Sequence, residues 1–153
     1  MLLLFVFNSL LMSAQVKVYK GTSTYSGDVL CNLSGEKVYK KTSNYSGDII
    51  CHISKNKIYK GTSTYSGDVL YTIIDGKVYK GTSSYSGDIV MTIKDGKVYR
   101  GTSTYSGDVL ATLRDGKVYT GNSSYSGDIH FTISDLVTIE AFVGIWHAVN
   151  YVY

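Results

Sequence analysis

The sequence contains no proline, two cysteines, three histidines and one tryptophan among its 153 residues. Without proline, no stretch is barred from a strand interior by a missing backbone N–H. Two cysteines cannot build the multi-bridge framework of a small disulfide-stapled domain. His52, His130 and His147 are scattered, with no cysteine or carboxylate at ligand spacing, so neither a metal nor a cofactor is expected. Serine is abundant, yet nothing supplies an oriented base for a nucleophilic triad, and no catalytic residue is expected. Charge is sparse too: the net value of +3 is too mild for a nucleic-acid-binding face.

One apolar run stands at the start. Leu2 to Met12 is broken only by Asn8 and Ser9, and Met12-Ser13-Ala14 then leads into Gln15. The run is short of the ~20 residues of a membrane-spanning helix. It fits the hydrophobic region of a signal peptide over residues 1–14, cleaved near Ala14, which predicts export to the cell envelope, periplasm or medium. No Lys or Arg precedes it, and Met12 is large for its place, so an uncleaved apolar tail is the competing reading. No cysteine lies near the cleavage point to carry a lipoprotein anchor.

What is present in quantity is tyrosine, with fifteen residues, and glycine, with sixteen. Tyr, Thr, Val and Ile favour strands, and regularly spaced Gly marks turns. A 20-residue unit of the form V-Y-K-G-T-S-T-Y-S-G-D-V-L begins at Val18, Val38, Ile58, Val78, Val98 and Val118, without insertion or deletion. Between units the chain has Gly35-Glu36, Lys55-Asn56, Asp75-Gly76, Asp95-Gly96 and Asp115-Gly116. Asp-Gly suits a type I′ turn and Gly-first a type II′ turn, both of which make tight antiparallel hairpins. Lys55-Asn56 is the weakest signal of the five. The other connection, through Tyr-Ser-Gly-Asp, is longer and carries Gly at a fixed place. Twelve strands in a meander follow.

With Asp75-Gly76 at a hairpin tip, Ile74 faces Lys77 and Ile73 faces Val78. Val69, Tyr71, Ile73 and Val78 then share one face. Lys80 should share it as well, so it either sits at the rim or is turned outward by a bulge near Gly81. The slot of Tyr71 is filled in turn by Cys31, Cys51, Tyr71, Met91, Ala111 and Phe131: all apolar, but very different in volume. Such irregularity in a repetitive sheet predicts a partner that lacks the repeat symmetry. Cys31 and Cys51 are two strands apart in this register, ~9.5 Å, beyond the ~7 Å limit for a disulfide, so two buried free thiols are expected.

The repeat ends at Asp135. Thr138 is a plausible N-cap with Glu140 in the first turn, and Ile139, Phe142, Val143, Trp146 and Val149 follow helical spacing, relieved by His147 and Asn150. Gly144 and the β-branched residues leave a final strand as the alternative. Residues 15–137 thus form the repeat domain, and residues 138–153 an apolar helix integral to it. Twelve strands close into a barrel of ~12 Å radius, too wide for its own side chains to fill. A helix ~10 Å across would fill it. The fold class is therefore all-β with one helix, a shallow closed barrel being favoured because closure removes both exposed edges. An open hairpin array or a β-solenoid capped by the helix remains as the alternative.

The KVYKGTSTYSGDVL units and the closing TIEAFVGIWHAVNYVY resemble the beta-flower proteins, β-hairpin petals around a pseudo-symmetry axis. The resemblance covers residues 16 to 153. Beta-flowers are similar in turn to the tubby C-terminal domain and the phospholipid scramblases, where a twelve-stranded barrel surrounds an apolar helix. That kinship implies a fold, and points to association with membrane lipid rather than to an enzymatic activity.

Two ladders are candidates for binding. Lys20, Lys40, Lys60, Lys80 and Arg100 form a row of cations ending in Thr120. Tyr25, Tyr45, Tyr65, Tyr85, Tyr105 and Tyr125 form an aromatic row in the long connections. Together they can engage anionic lipid or glycan, the rings stacking while the cations neutralise charge. The plainer reading is that each Tyr buries its ring over its hairpin while Lys solvates an edge. The six Asp residues of the Tyr-Ser-Gly-Asp units supply one carboxylate per repeat, too few for calcium, and read better as turn caps. Thr-Ser-Thr resembles the Thr arrays of ice-binding surfaces, but equivalent residues fall ~9.5 Å apart. The reading is a non-enzymatic, exported, envelope-associated binding or structural module. Its rival is a purely structural or self-assembling surface protein without a ligand.

Overall fold

Four of the five tight junctions adopt the turn their residues favour. In Asp75-Gly76, Asp95-Gly96 and Asp115-Gly116 both central residues have positive φ, from 50° to 74°, as a type I′ turn requires. In the other two turns only the first residue does: Gly35 at 59° and Lys55 at 54°. In the computed structural model, which describes residues 15–152, these turns join the strands of a closed antiparallel barrel. The leader expected over residues 1–14 lies outside the described residues.

The strands are β1 (Val16–Lys20), β2 (Val29–Ser34), β3 (Lys37–Lys40), β4 (Ile49–Ser54), β5 (Lys57–Lys60), β6 (Val69–Ile74), β7 (Lys77–Lys80), β8 (Ile89–Lys94), β9 (Lys97–Arg100), β10 (Val109–Arg114), β11 (Lys117–Thr120) and β12 (Ile129–Ile133), followed by helix α1 (Ile139–Tyr151). Every strand pairs with its sequence neighbours, and β1 pairs with β12 through Val18 opposite Ile133 and Lys20 opposite Phe131. Closure excludes the open array and the solenoid, and it removes both edges. Because neighbours run antiparallel throughout, the long connections gather at one rim and the tight turns at the other.

The hairpin register is the expected one: Ile73 opposite Val78 and Ile74 opposite Lys77. On the other side of each short strand the register slips. Val78 faces Met91 and Tyr79 faces Ile89, leaving Val90 unpaired in a bulge. The same slip leaves Leu30, Ile50, Leu70, Leu110 and His130 unpaired. This corrects the placement of Val69 beside Tyr71 on the inner face. Val69 pairs with Tyr59, on the opposite face from the fully buried Ile58, and is buried outside the central cluster. The extra bulge residue reverses the alternation. Lys80, opposite Tyr71 and exposed at the end of β7, sits at the rim.

Helix α1 runs through the barrel. Thr138 caps it by accepting a 3.2 Å bond from the Ala141 amide, with Glu140 in the first turn. Its buried surface is wider than the expected stripe, adding Ala141, Gly144, Ile145 and Ala148, because strands surround it; Ile139 instead is exposed. The irregular layer of the sheet is matched to this helix. A Cβ on Gly144 would lie 3.3 Å from Val38 Cγ2 and 3.5 Å from Cys51 Sγ, so the helix backbone approaches where the sheet has cysteine. Elsewhere the gap is filled from the sheet: Phe131 lies against Trp146 at 6.5 Å between ring centroids, and Tyr71 against His147 at 5.5 Å. Cys31 and Cys51 are free and buried.

Candidate functional site

The long-connection rim is built six times from the same parts. In each connection a serine hydroxyl donates to the aspartate five residues later: Ser23 to Asp28, Ser43 to Asp48, Ser63 to Asp68, Ser83 to Asp88, Ser103 to Asp108 and Ser123 to Asp128, at 2.5–2.6 Å. The same serine oxygen accepts from the backbone N–H of the intervening tyrosine, as Ser63 does from Tyr65 at 3.2 Å. The tyrosine carbonyl in turn accepts from the aspartate N–H, Asp68 to Tyr65 at 3.0 Å, closing a single 3-10 turn over Ser66–Asp68. The aspartate side chains do not cap these turns themselves: each carboxylate accepts from the serine hydroxyl, and it is the serine oxygen that takes the tyrosine backbone N–H. The backbone on both sides of each tyrosine is fixed.

A second device ties each connection to the preceding repeat. Thr72 Oγ1 donates to the Gly81 carbonyl at 2.7 Å, and Thr92, Thr112 and Thr132 do the same to Gly101, Gly121 and Gly21. In the same slot His52 Nδ1 lies 3.1 Å from the Gly61 carbonyl. Asn32, fully buried, donates from Nδ2 to two carbonyls of the second connection, Lys41 at 2.8 Å and Ser43 at 2.9 Å.

On this fixed backbone the tyrosine rings stand in solvent. Tyr25, Tyr45, Tyr65, Tyr85, Tyr105 and Tyr125 are 75–80% exposed. That overturns the plainer expectation of rings laid over their hairpins: the 3-10 turn directs each ring away from the wall. Lys20, Lys40, Lys60, Lys80 and Arg100 are exposed as well, and Thr120 completes their row. Three connections form measurable concavities. Lys40, Tyr45 and Asp48 line one of about 590 Å³, Lys60, Tyr65 and Asp68 one of about 600 Å³, and Arg100, Tyr105 and Asp108 one of about 730 Å³. In these three connections cation, aromatic ring, hydroxyls and carboxylate line one concavity, so there the two ladders meet.

The electrostatics of the rim differ from those of the cation row alone. The six connections hold six cations, counting Lys41, and six aspartates, with Lys97 reaching Asn122 at 3.2 Å, so the rim is close to neutral. Lys41 was not among the expected residues. The signal was present in the sequence, since Lys41 occupies the place of glycine in the other five units.

The sequence matches a known repeat family. The model of the 6-fold beta flower proteins matches residues 7–146. This chain belongs to that family. No curated protein and no solved structure matches it. The beta flower's core offers little chemistry. Burial pushes the Cys31 thiol up to about 12, with Cys51 adding to the effect, and burial alone does the same for Cys51, so neither is a thiolate nucleophile at neutral pH. Tyr71 is raised to about 12 by burial, then by Tyr151 and Cys51, while burial lowers His147. Among the described residues no group of three or more His, Cys, Asp or Glu is placed to hold a metal, and no helix is long and apolar enough to cross a membrane.

Proposed function

We propose that this beta flower is an exported, non-enzymatic recognition module whose long-connection rim binds glycan surfaces through shallow clefts repeated around it. Family membership makes it a structural repeat module; the rim supports the finer reading. The observation that carries it is the set of six tyrosines, 75–80% exposed on backbone that is hydrogen-bonded on both sides. A ring held this way loses little entropy on contact and presents an apolar face with a polar tip, which suits a sugar ring. Hydroxyls, a carboxylate and an ammonium or guanidinium beside it supply donors and acceptors for sugar hydroxyls. Near-neutrality of the rim favours polyhydroxyl surfaces over anionic bilayers, whose attraction needs net positive charge. Single clefts this open bind weakly, and repetition around the rim compensates through avidity.

The test is retention of the purified protein on insoluble polysaccharides, run beside co-sedimentation with vesicles of rising anionic-lipid content. Retention lost on changing all six tyrosines to Ser, with the melting temperature unchanged, supports the reading. Binding to vesicles alone transfers the rim to a lipid role, and binding to neither leaves a purely structural module. Export is checked by N-terminal sequencing of protein recovered outside the cytoplasm, expected to begin at Gln15.

A further inference from the structure

The sixfold symmetry of the rim is broken most in the second connection, at three positions. Lys41 stands where the other units have Gly21, Gly61, Gly81, Gly101 and Gly121, and it keeps their left-handed backbone, with φ 48° against 53° to 58°. That conformation costs a side-chain-bearing residue about 1 kcal/mol. Asn32 stands where the other units have Thr or His, and it ties this connection down with two carbonyl bonds where the others have one. Its own Oδ1 accepts from Gln15 Nε2 at 2.7 Å, so the fully buried amide is satisfied on both ends. Asn44 replaces the Thr or Ser that precedes tyrosine elsewhere.

The electrostatic result is local. The first, third, fourth and fifth connections each hold one cation and one aspartate and are neutral. The sixth has Thr120 in place of a cation, and Lys97 reaches it from β9, bonding Asn122 Oδ1 at 3.2 Å. The second carries Lys40 and Lys41 against Asp48, and Lys40, Lys41, Asn44 and Tyr45 line one concavity. Its aspartate is already engaged by Ser43 at 2.6 Å. A strained lysine on a connection that a buried amide doubly anchors is a poor choice for stability alone.

From this we infer that the second connection is the anion-selecting subsite of the rim. Lys40 and Lys41 take a carboxylate or sulfate of the ligand while Tyr45 stacks on the adjoining ring. The other connections contact its uncharged parts. The inference rests on the glycan reading above and names the ligand class: an acidic polysaccharide.

The test uses the full chain and three probes: alginate as a polyuronate, dextran sulfate as a sulfated polymer, and unmodified dextran. Lys41→Gly restores the unit's common residue, so its melting temperature should not fall and a loss of binding cannot be unfolding. The expected result is about a fivefold weaker affinity for the acidic polymers with no change toward dextran. A second variant moves the site. Gly61→Lys in the Lys41→Gly background places the cation on the third connection, where a Cβ at position 61 meets nothing nearer than 3.9 Å, and it should recover acidic binding. Preference between alginate and dextran sulfate identifies the anion. Wild-type affinity in Lys41→Gly overturns the inference and leaves the glycan reading standing. Absence of wild-type binding to all three polymers overturns both.

Discussion

Each repeat holds two tyrosines six residues apart, and in the last three repeats they meet opposite fates, the strand tyrosine being half-buried in the first three. Tyr79, Tyr99 and Tyr119 sit on the outer face of their strands and are nonetheless 7–9% exposed, while Tyr85, Tyr105 and Tyr125 on the following connections are 77–80% exposed. The strand tyrosine faces a β-branched residue across the bulge, Tyr79 opposite Ile89, and has Thr72 on its other flank. The connection tyrosine sits in extended backbone just before a 3-10 turn, with its backbone groups bonded and no neighbour for its ring. One aromatic holds the wall together and the other is left free. Residue type is identical in the two rows, so the difference comes from the turn chemistry around them.

Truncating one member of each row is the most direct way to break this comparison. Tyr79→Ala is expected to lower unfolding free energy by about 3 kcal/mol, as loss of a buried aromatic does. Tyr85→Ala should stay within about 0.5 kcal/mol, as for an exposed residue free of special contacts. Urea denaturation monitored by circular dichroism measures both, and equal losses would show that the connection rings pack after all.

The two rims differ in the same way and sharpen the comparison. At the tight-turn rim each hairpin tip docks on the next: the Gly76 carbonyl accepts from Ile93 N–H at 2.7 Å. A Cβ on Gly76, at φ 74°, would lie 2.5 Å from the Ile93 carbonyl oxygen. Gly76→Ala should therefore cost about 2 kcal/mol, more than the conformational effect alone. At the opposite rim Gly87 has nothing within 4 Å of an added Cβ, so Gly87→Ala should be close to neutral. Thermal melts of the two variants decide it.

Much of this was legible because the repeat imposes one local solution six times. The hairpin register followed from Asp75-Gly76 and its equivalents, and the helix cap followed from Thr138 and Glu140. The need for an asymmetric filler followed from the run of volumes between Cys31 and Phe131. The bulge was not legible at its true place, because Leu70 and its equivalents, His130 apart, are apolar like their neighbours and carry no turn signal. That single extra residue moved Val69 from the inner to the outer face. At the site, the ladders were legible but not their convergence. Lys60 and Tyr65 line one concavity because Ser63 and Asp68 fold the connection between them, a consequence of a hydrogen bond rather than of spacing.

A smaller effect is expected at the one tight turn that lacks glycine. Lys55 adopts φ 54° without the freedom of Gly, and its side chain is exposed. Lys55→Gly relieves the left-handed strain but adds chain entropy to the unfolded state, so the net gain should be no more than about 1 kcal/mol. Differential scanning calorimetry should show a rise in melting temperature. A fall would mean that Lys55 makes a contact worth more than the strain.

The smallest effect is a pH dependence at the barrel mouth. His147 packs against Tyr71, with Nδ1 3.2 Å from its hydroxyl, and against the exposed Tyr151 ring at 5.6 Å. Burial holds His147 below its ordinary value. On acidification the unfolded chain gains a proton at this histidine near pH ~6.5, while the folded chain gains it only at lower pH. The unfolded state binds more protons in that window, so stability falls as pH drops from 7 through it and levels off below the folded value. The difference between the wild-type and His147→Gln curves isolates this group. The variant should lose less stability between pH 7 and 5 than the parent. Parallel curves would mean that the mouth is wet enough to solvate the charged imidazole, and that the barrel's dry interior ends below Tyr71.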